Sequence, residues 1–238
     1  MKRIGLLFLS LVALVSCERD YDDHYTLKRL KTITECDADG SNKRVGTYSY
    51  YDDAISISTT LDDVPERVSW TRYIDNLEIQ TDSAYVEGVL QPDQTITVYY
   101  RDALRSMVDS VITVDAAGVE TVRDVYEYEG GYYSIVTYEA GVKTTRREVT
   151  NYYGNLSTSL YTWDTEKNSW KYVHKEENVT TYDETMTVVS IFIDNAFSEK
   201  HIYQSLGDTV EFKRYKAKGE DDWELVSYGS YKYETITI

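Results

Sequence analysis

The side chains able to do chemistry are few and scattered. The thiols are Cys17 and Cys36, and the imidazoles are His24, His174 and His201. No two histidines stand at a metal-ligand spacing and no His-Glu-x-x-His run occurs, so neither a metal nor another cofactor is expected. There is no Gly-x-Ser-x-Gly elbow, phosphate loop or dinucleotide fingerprint. Asp37-Ala38-Asp39-Gly40-Ser41-Asn42 has the oxygen spacing that begins a calcium loop. It lacks the closing Glu, so a polar hairpin turn is expected instead. With 41 Asp and Glu, carboxylate pairs close enough for glycoside hydrolysis arise by chance. A surface-polysaccharide hydrolase is therefore an alternative, and a non-catalytic protein is the primary expectation. Cys17 stands apart, because it follows Lys2, Arg3 and a mainly apolar run from Ile4 to Val15. That run is shorter than the roughly 20 residues of a membrane span and fits the core of a secretory signal peptide.

Leu14-Val15-Ser16-Cys17 resembles the lipobox of bacterial lipoproteins. The resemblance implies that residues 1–16 are a cleaved signal peptide and that the Cys17 thiol takes a diacylglyceryl group. The residues that follow, Glu18-Arg19-Asp20-Tyr21-Asp22-Asp23, resemble the export signal of surface lipoproteins in Bacteroidota. That implies the outer face of the outer membrane. Residues 17–26 read as an acidic tether and 27–238 as one all-β domain. The formal charge of -16 repels nucleic acid phosphates and anionic lipid headgroups. Nucleic acid is thus not an expected partner, and membrane attachment rests on acyl chains at about 0.8 kcal/mol per buried methylene. With Cys17 acylated, Cys36 has no partner for a disulfide and reads as a small packing residue.

The elements that must position everything else are strands. The chain has 24 Tyr with abundant Thr, Val and Ile, and only two prolines, Pro65 and Pro92. Alternation of period two recurs at Thr47-Tyr48-Ser49-Tyr50, Thr95-Ile96-Thr97-Val98 and Val210-Glu211-Phe212-Lys213. Arg101 to Val108 is the best, weak, helix candidate. Gly130-Gly131 supplies a tight hairpin turn that pairs Tyr128 with Tyr133 and Tyr126 with Ile135. Tyr132 and Tyr138 then fall on the opposite face. Gly154-Asn155 is a second expected tight turn. A four-residue loop over Thr165, Glu166, Lys167 and Asn168 sets Trp163 opposite Trp170 and Tyr161 opposite Tyr172, with Ser159 and His174 next on the same face. These four rings are the candidate ligand-stacking residues. Most other tyrosines are expected to cover a sheet whose second face is wet.

LKTITECDADGSNKRVGTYSYYDD, YEYEGGYYSIVTYEAG, LYTWDTEKNSWKYV and the closing YKYETITI together resemble the YD-repeat-like lipoproteins of Bacteroidota. Here Tyr-Asp occurs only at Tyr21-Asp22, Tyr51-Asp52 and Tyr182-Asp183, without the Gly-Arg that usually follows. The resemblance implies a lipidated envelope protein built of degenerate hairpin repeats. The expected fold is an antiparallel hairpin meander forming an elongated curved sheet or a loose sandwich. The expected role is presentation of a Tyr-rich β surface for binding or scaffolding, the partner being a glycan or an envelope protein.

Overall fold

The structure, a computed structural model, describes residues 18–19, 25–152, 155–219 and 222–237. The expected signal peptide and Cys17 lie outside the described residues. The first half of the chain forms β1 (Glu18–Arg19), β2 (Tyr25–Asp37), β3 (Arg44–Tyr50), β4 (Ala54–Leu61), β5 (Val64–Ile74), β6 (Leu77–Val86), β7 (Val89–Tyr100), β8 (Val108–Asp115) and β9 (Glu120–Glu129). The second half forms β10 (Tyr132–Glu139), β11 (Val142–Tyr152), β12 (Asn155–Asp164), β13 (Ser169–Asp183), β14 (Met186–Ile193), β15 (Ala196–Leu206), β16 (Thr209–Ala217) and β17 (Trp223–Thr237).

From β2 to β17 every strand pairs antiparallel with its sequence neighbours, β9 pairs β10, and β17 returns to pair β2. The all-β meander is therefore a closed barrel of 16 strands. This corrects the expectation of an open curved sheet or a sandwich. Closure is local in origin. In seven alternate hairpins, every second one from β4–β5 to β16–β17, the second strand carries one unpaired residue soon after the turn. Glu66, Asp93, Thr121, Thr144, Val173, Ser198 and Val226 are those residues. Each such bulge bends its strand and adds right-handed twist, which curls the sheet toward closure. The recurrence also exposes the hairpin as the structural repeat.

β2 starts and β17 ends at one rim, here the base; the bulged hairpins turn at the opposite rim, the crown. β1 folds back on the base end of β2, pairing Glu18 with Thr26 and Arg19 with Tyr25. Strand pairing thus reaches back to Glu18, within the stretch that reads as tether.

The wall is a single layer. Sixteen strands enclose more space than side chains fill, and the extensive strand contacts run only between ladder partners. Among the described residues only Phe212 is fully buried. Its ring lies on the inner face over Gly229, beside Tyr231 at 5.0 Å and Tyr203 at 6.4 Å. Register assigns the same face to the tyrosines near the base: Tyr48 and Tyr50, Tyr73, Tyr100, Tyr126, Tyr128, Tyr133, Tyr203, Tyr231 and Tyr233. Burial dominates the upward pKa shift of most of them, and pushes Tyr48, Tyr100 and Tyr231 to about 12. On the other face, the leading cause for Tyr132, Tyr172 and Tyr228 is instead a single side-chain hydrogen bond. The desolvated face is the concave, inner one.

Toward the crown the inner face turns polar. Asp82, 4% exposed, accepts from Arg67 at 3.1 Å, Gln80 at 2.9 Å and Gln94 at 3.0 Å. Glu35 accepts from Arg214 at 2.8 Å and Ser227 at 2.9 Å. Asp124 accepts from Thr137 and Arg147. The outer face carries Arg146 with Glu148 and Lys175 with Glu177 in mid-wall. On β11 and β13 these charges interrupt what in a membrane-spanning barrel is an unbroken apolar band, about 25 Å tall, facing lipid.

The tight turn at Gly130-Gly131 sets the expected register, with Tyr128 paired to Tyr133 and Tyr126 to Ile135, and of the two glycines Gly130 alone takes a positive φ, 59°. Tyr132 and Tyr138 fall on the other face, as alternation requires. Residues 101–107 form a loop and not a helix. Ser106 bonds back to Asp102 through its amide and hydroxyl, and Arg105 takes a left-handed φ of 55°. Asn155 already pairs Tyr152 and so belongs to β12 and not to the tight turn expected at Gly154-Asn155; Gly154 lies outside the described residues.

Two outcomes follow from the inner face. A Cβ on Gly229 would stand 1.9 Å from the Thr34 carbonyl oxygen and 2.7 Å from the Phe212 ring. Gly229→Ala is expected to destabilise the barrel by about 3 kcal/mol, read by denaturant unfolding; wild-type stability would refute the packing. The inner phenols of Tyr48, Tyr100 and Tyr231 have folded pKa values above their ordinary 10.0. The unfolded chain then loses their protons first, so this stability is complete below pH 10 and disappears as pH rises toward about 12. Absorbance titration should show a class of phenols that ionise only as near-ultraviolet circular dichroism collapses.

Candidate functional site: a stripe on the outer wall

The four rings singled out by spacing come together. Trp163 pairs Trp170 and Tyr161 pairs Tyr172 across β12 and β13. The tryptophan centroids are 4.8 Å apart with planes at 68°, and the tyrosine centroids are 5.8 Å apart at 74°. Edge-to-face geometry places each positive ring edge on a negative ring face. Asp164 fixes the intervening turn by accepting the Glu166 and Lys167 amides, leaving β12 and β13 in the required register.

Ser159 lies on the same outer face as these rings, but His174 does not. His174 pairs Leu160 on the inner face, because the Val173 bulge separates it from Tyr172. Without that extra residue, simple alternation would put His174, Tyr172 and Trp170 together. With it, the two rings turn outward and the imidazole turns inward.

The polar tips of the rings are engaged. The Tyr161 hydroxyl donates to Glu148 at 3.0 Å, and the Tyr172 hydroxyl donates to Asp194 at 2.7 Å. Burial and then the Glu148 bond raise the Tyr161 pKa, whereas the Asp194 bond leads for Tyr172. Asp194 is held below the usual carboxylate range by the Lys175 amide and then by Tyr172. The Lys143 ammonium lies 5.0 Å from the Trp163 ring centre, a cation–π distance. Tyr172 remains 49% exposed, so a ring face stays open to a ligand.

Below the rings, toward the base, the stripe continues as a shallow depression of about 330 Å³. Thr150, Ser157 and Ser159 form its floor, and Tyr132, Glu148 and Lys175 its sides. Register places all six on the outer face, in two rows across β10 to β13: Tyr132–Thr150–Ser157 and Glu148–Ser159–Lys175. Small hydroxyl side chains between longer ones make the hollow. Arg146 ties Glu148 at 3.1 Å and Lys175 ties Glu177 at 2.6 Å, so charge along the stripe is nearly balanced. Alternating Ser157 and Ser159 was the only sequence signal of this floor. Its walls come from β10, β11 and β13, which no local pattern brings together.

The remaining candidates stay apart from this stripe. Asp37 ends β2 and Asp39 lies in the β2–β3 turn. Asp39 accepts from the Ser41 amide and hydroxyl, and Asp37 from Asn42. Cys36 is buried on the outer face of β2, its thiol 3.7 Å from the Tyr228 carbonyl. His201 stands beside Glu199 on the inner face, on β15 rather than with His174 on β13. Among the described residues no group of three or more His, Cys, Asp or Glu is placed to hold a metal ion. A second ring cluster, Phe192, Phe197, Tyr215 and Trp223, packs on itself and on Lys200.

No family model matches the chain, and no curated protein does. Among solved structures, a crystal structure of a protein of unknown function from Bacteroides fragilis NCTC 9343 is similar over 62% of this chain and 87% of that one. The identity is 13% and the TM-score 0.23.

Replacing Trp170 by Phe should remove the exciton signal of the edge-to-face tryptophan pair from the circular dichroism spectrum. The expected loss of stability is about 0.5–1.5 kcal/mol. An unchanged spectrum would show that Trp163 and Trp170 do not meet.

Proposed function

We propose that the chain is a non-catalytic lipoprotein of the bacterial outer membrane, held by acyl chains on Cys17 and exposing its barrel wall as a binding surface. The observation that carries this reading is the division of aromatic side chains between the two faces. Inner tyrosines are spent on desolvating the wall, whereas Tyr132, Tyr161, Trp163, Trp170 and Tyr172 form a stripe on the outer face beside a polar hollow. The inner carboxylates, buried Asp82 and half-buried Glu35, are each committed to an arginine, which fits a structural role for them. The β1–β2 pairing supports the anchor, because it sets Glu18, the neighbour of Cys17, against the base rim. The crown rings then stand at the end of the wall remote from the lipid. The degenerate hairpin repeat is also in keeping with the resemblance to YD-repeat-like lipoproteins.

Mass spectrometry of the mature protein from a lipoprotein-processing host is expected to find a diacylglyceryl-modified Cys17 as the first residue. Cys17→Ala should shift the protein from the membrane to the soluble fraction. An unmodified N-terminus would overturn the anchor.

A further inference from the structure

We infer that the stripe on β10 to β13 is a binding site for an uncharged oligosaccharide lying along β12. The inference deepens the binding role proposed above and does not depend on the lipid anchor.

Three features select this ligand class. First, the stripe is divided into two chemistries. Rings of Trp163, Trp170, Tyr161 and Tyr172 occupy its crown half, and hydroxyls of Thr150, Ser157 and Ser159 occupy its base half. A pyranose has the same duality, with C–H faces that stack on rings and equatorial hydroxyls that exchange hydrogen bonds. Second, donors and acceptors alternate at the edges. Glu148 and Asp194 supply acceptors, while Lys143 and Lys175 supply donors. Third, charge argues against a polyanion. The stripe is nearly balanced, and the chain around it has a formal charge of -16, which disfavours anionic polymers at long range. A cationic peptide would be drawn to the acidic chain generally, but nothing in the hollow singles out an ammonium or guanidinium.

The dimensions call for a chain and not a single sugar. Rows 163/170, 161/172, 159/175 and 157/177 follow one another along the strands. Three intervals of two residues each span about 20 Å. The hollow is open and shallow, so it suits internal units of a chain rather than enclosing a terminus. The Tyr172 hydroxyl, held by Asp194, fixes the most exposed ring before any ligand arrives. Such preorganisation lowers the ordering cost of binding.

The test uses the full mature chain in detergent, titrated calorimetrically with maltohexaose, cellohexaose, xylohexaose and mannohexaose, and with tetragalacturonate as the charged comparison. At least one neutral hexasaccharide is expected to bind and to change tryptophan fluorescence. Tyr172→Ala and Ser157→Trp, which strip a ring and fill the hollow, should each weaken that binding at least tenfold. Trp223→Ala, in the separate ring cluster, should leave it unchanged. Unaltered unfolding midpoints and circular dichroism certify the variants, and Tyr172→Phe gives a milder second reading if Ala disturbs the fold. Failure of all four neutral sugars to bind at millimolar concentration would overturn the inference, as would tighter binding of tetragalacturonate or full affinity in both stripe variants. That result alongside an acylated Cys17 would leave the envelope assignment standing.

Discussion

The extra residue in the second strand of seven crown hairpins is the constraint on which the rest of this molecule depends. An antiparallel meander with perfect alternation coils gently and ends in two open edges. Here a bulge recurs in seven hairpins at the same place relative to the crown turn. Its effect accumulates until β17 reaches β2. Ring closure gives the ladder two hydrogen-bonding partners for each of these strands and removes the long edges that recruit other chains. The crowding of inner tyrosines and the outward aim of Trp170 both follow from this repeated irregularity.

A single-layer wall cannot be stabilised like a sandwich, whose core is shared by two sheets. Its hydrophobic gain must come from neighbours within the same sheet. This accounts for the preference for tyrosine over phenylalanine. A phenol covers the next strand with its ring and leaves its hydroxyl for water or a nearby acceptor, as Tyr50 does with the Leu30 carbonyl and Tyr128 with that of Val108. Phe212 is the exception because Gly229 opens a notch beneath it. On the crown side, where rings thin out, arginines bridge carboxylates one or two strands away and knit the inner surface laterally.

Much of the local architecture was legible in the sequence. Alternation and Gly130-Gly131 gave the pairing of β9 with β10, and the loop at 165–168 gave the tryptophan pair, because both signals lie within one hairpin. Three things were not legible. A bulge appears in a sequence as one ordinary residue, so nothing marked Val173 as the point where His174 leaves the ring face. Closure arises from twist summed around sixteen strands, which no single hairpin reports. The hydroxyl floor combines residues of β11 and β12, with walls from β10 and β13, and becomes visible only when their registers are known together.

The seam between β2 and β17 has a kinetic meaning. It joins the first long strand of the chain to the last, pairing Thr26 with Thr237. Every other ladder can zip as soon as its hairpin emerges, but this one must wait until nearly the whole chain is present. Loop-closure entropy over almost the whole chain is overcome in that final step. Until then both β2 and β17 are unguarded edges. The interval before sealing is therefore when the folding chain is most exposed to mispairing with other chains.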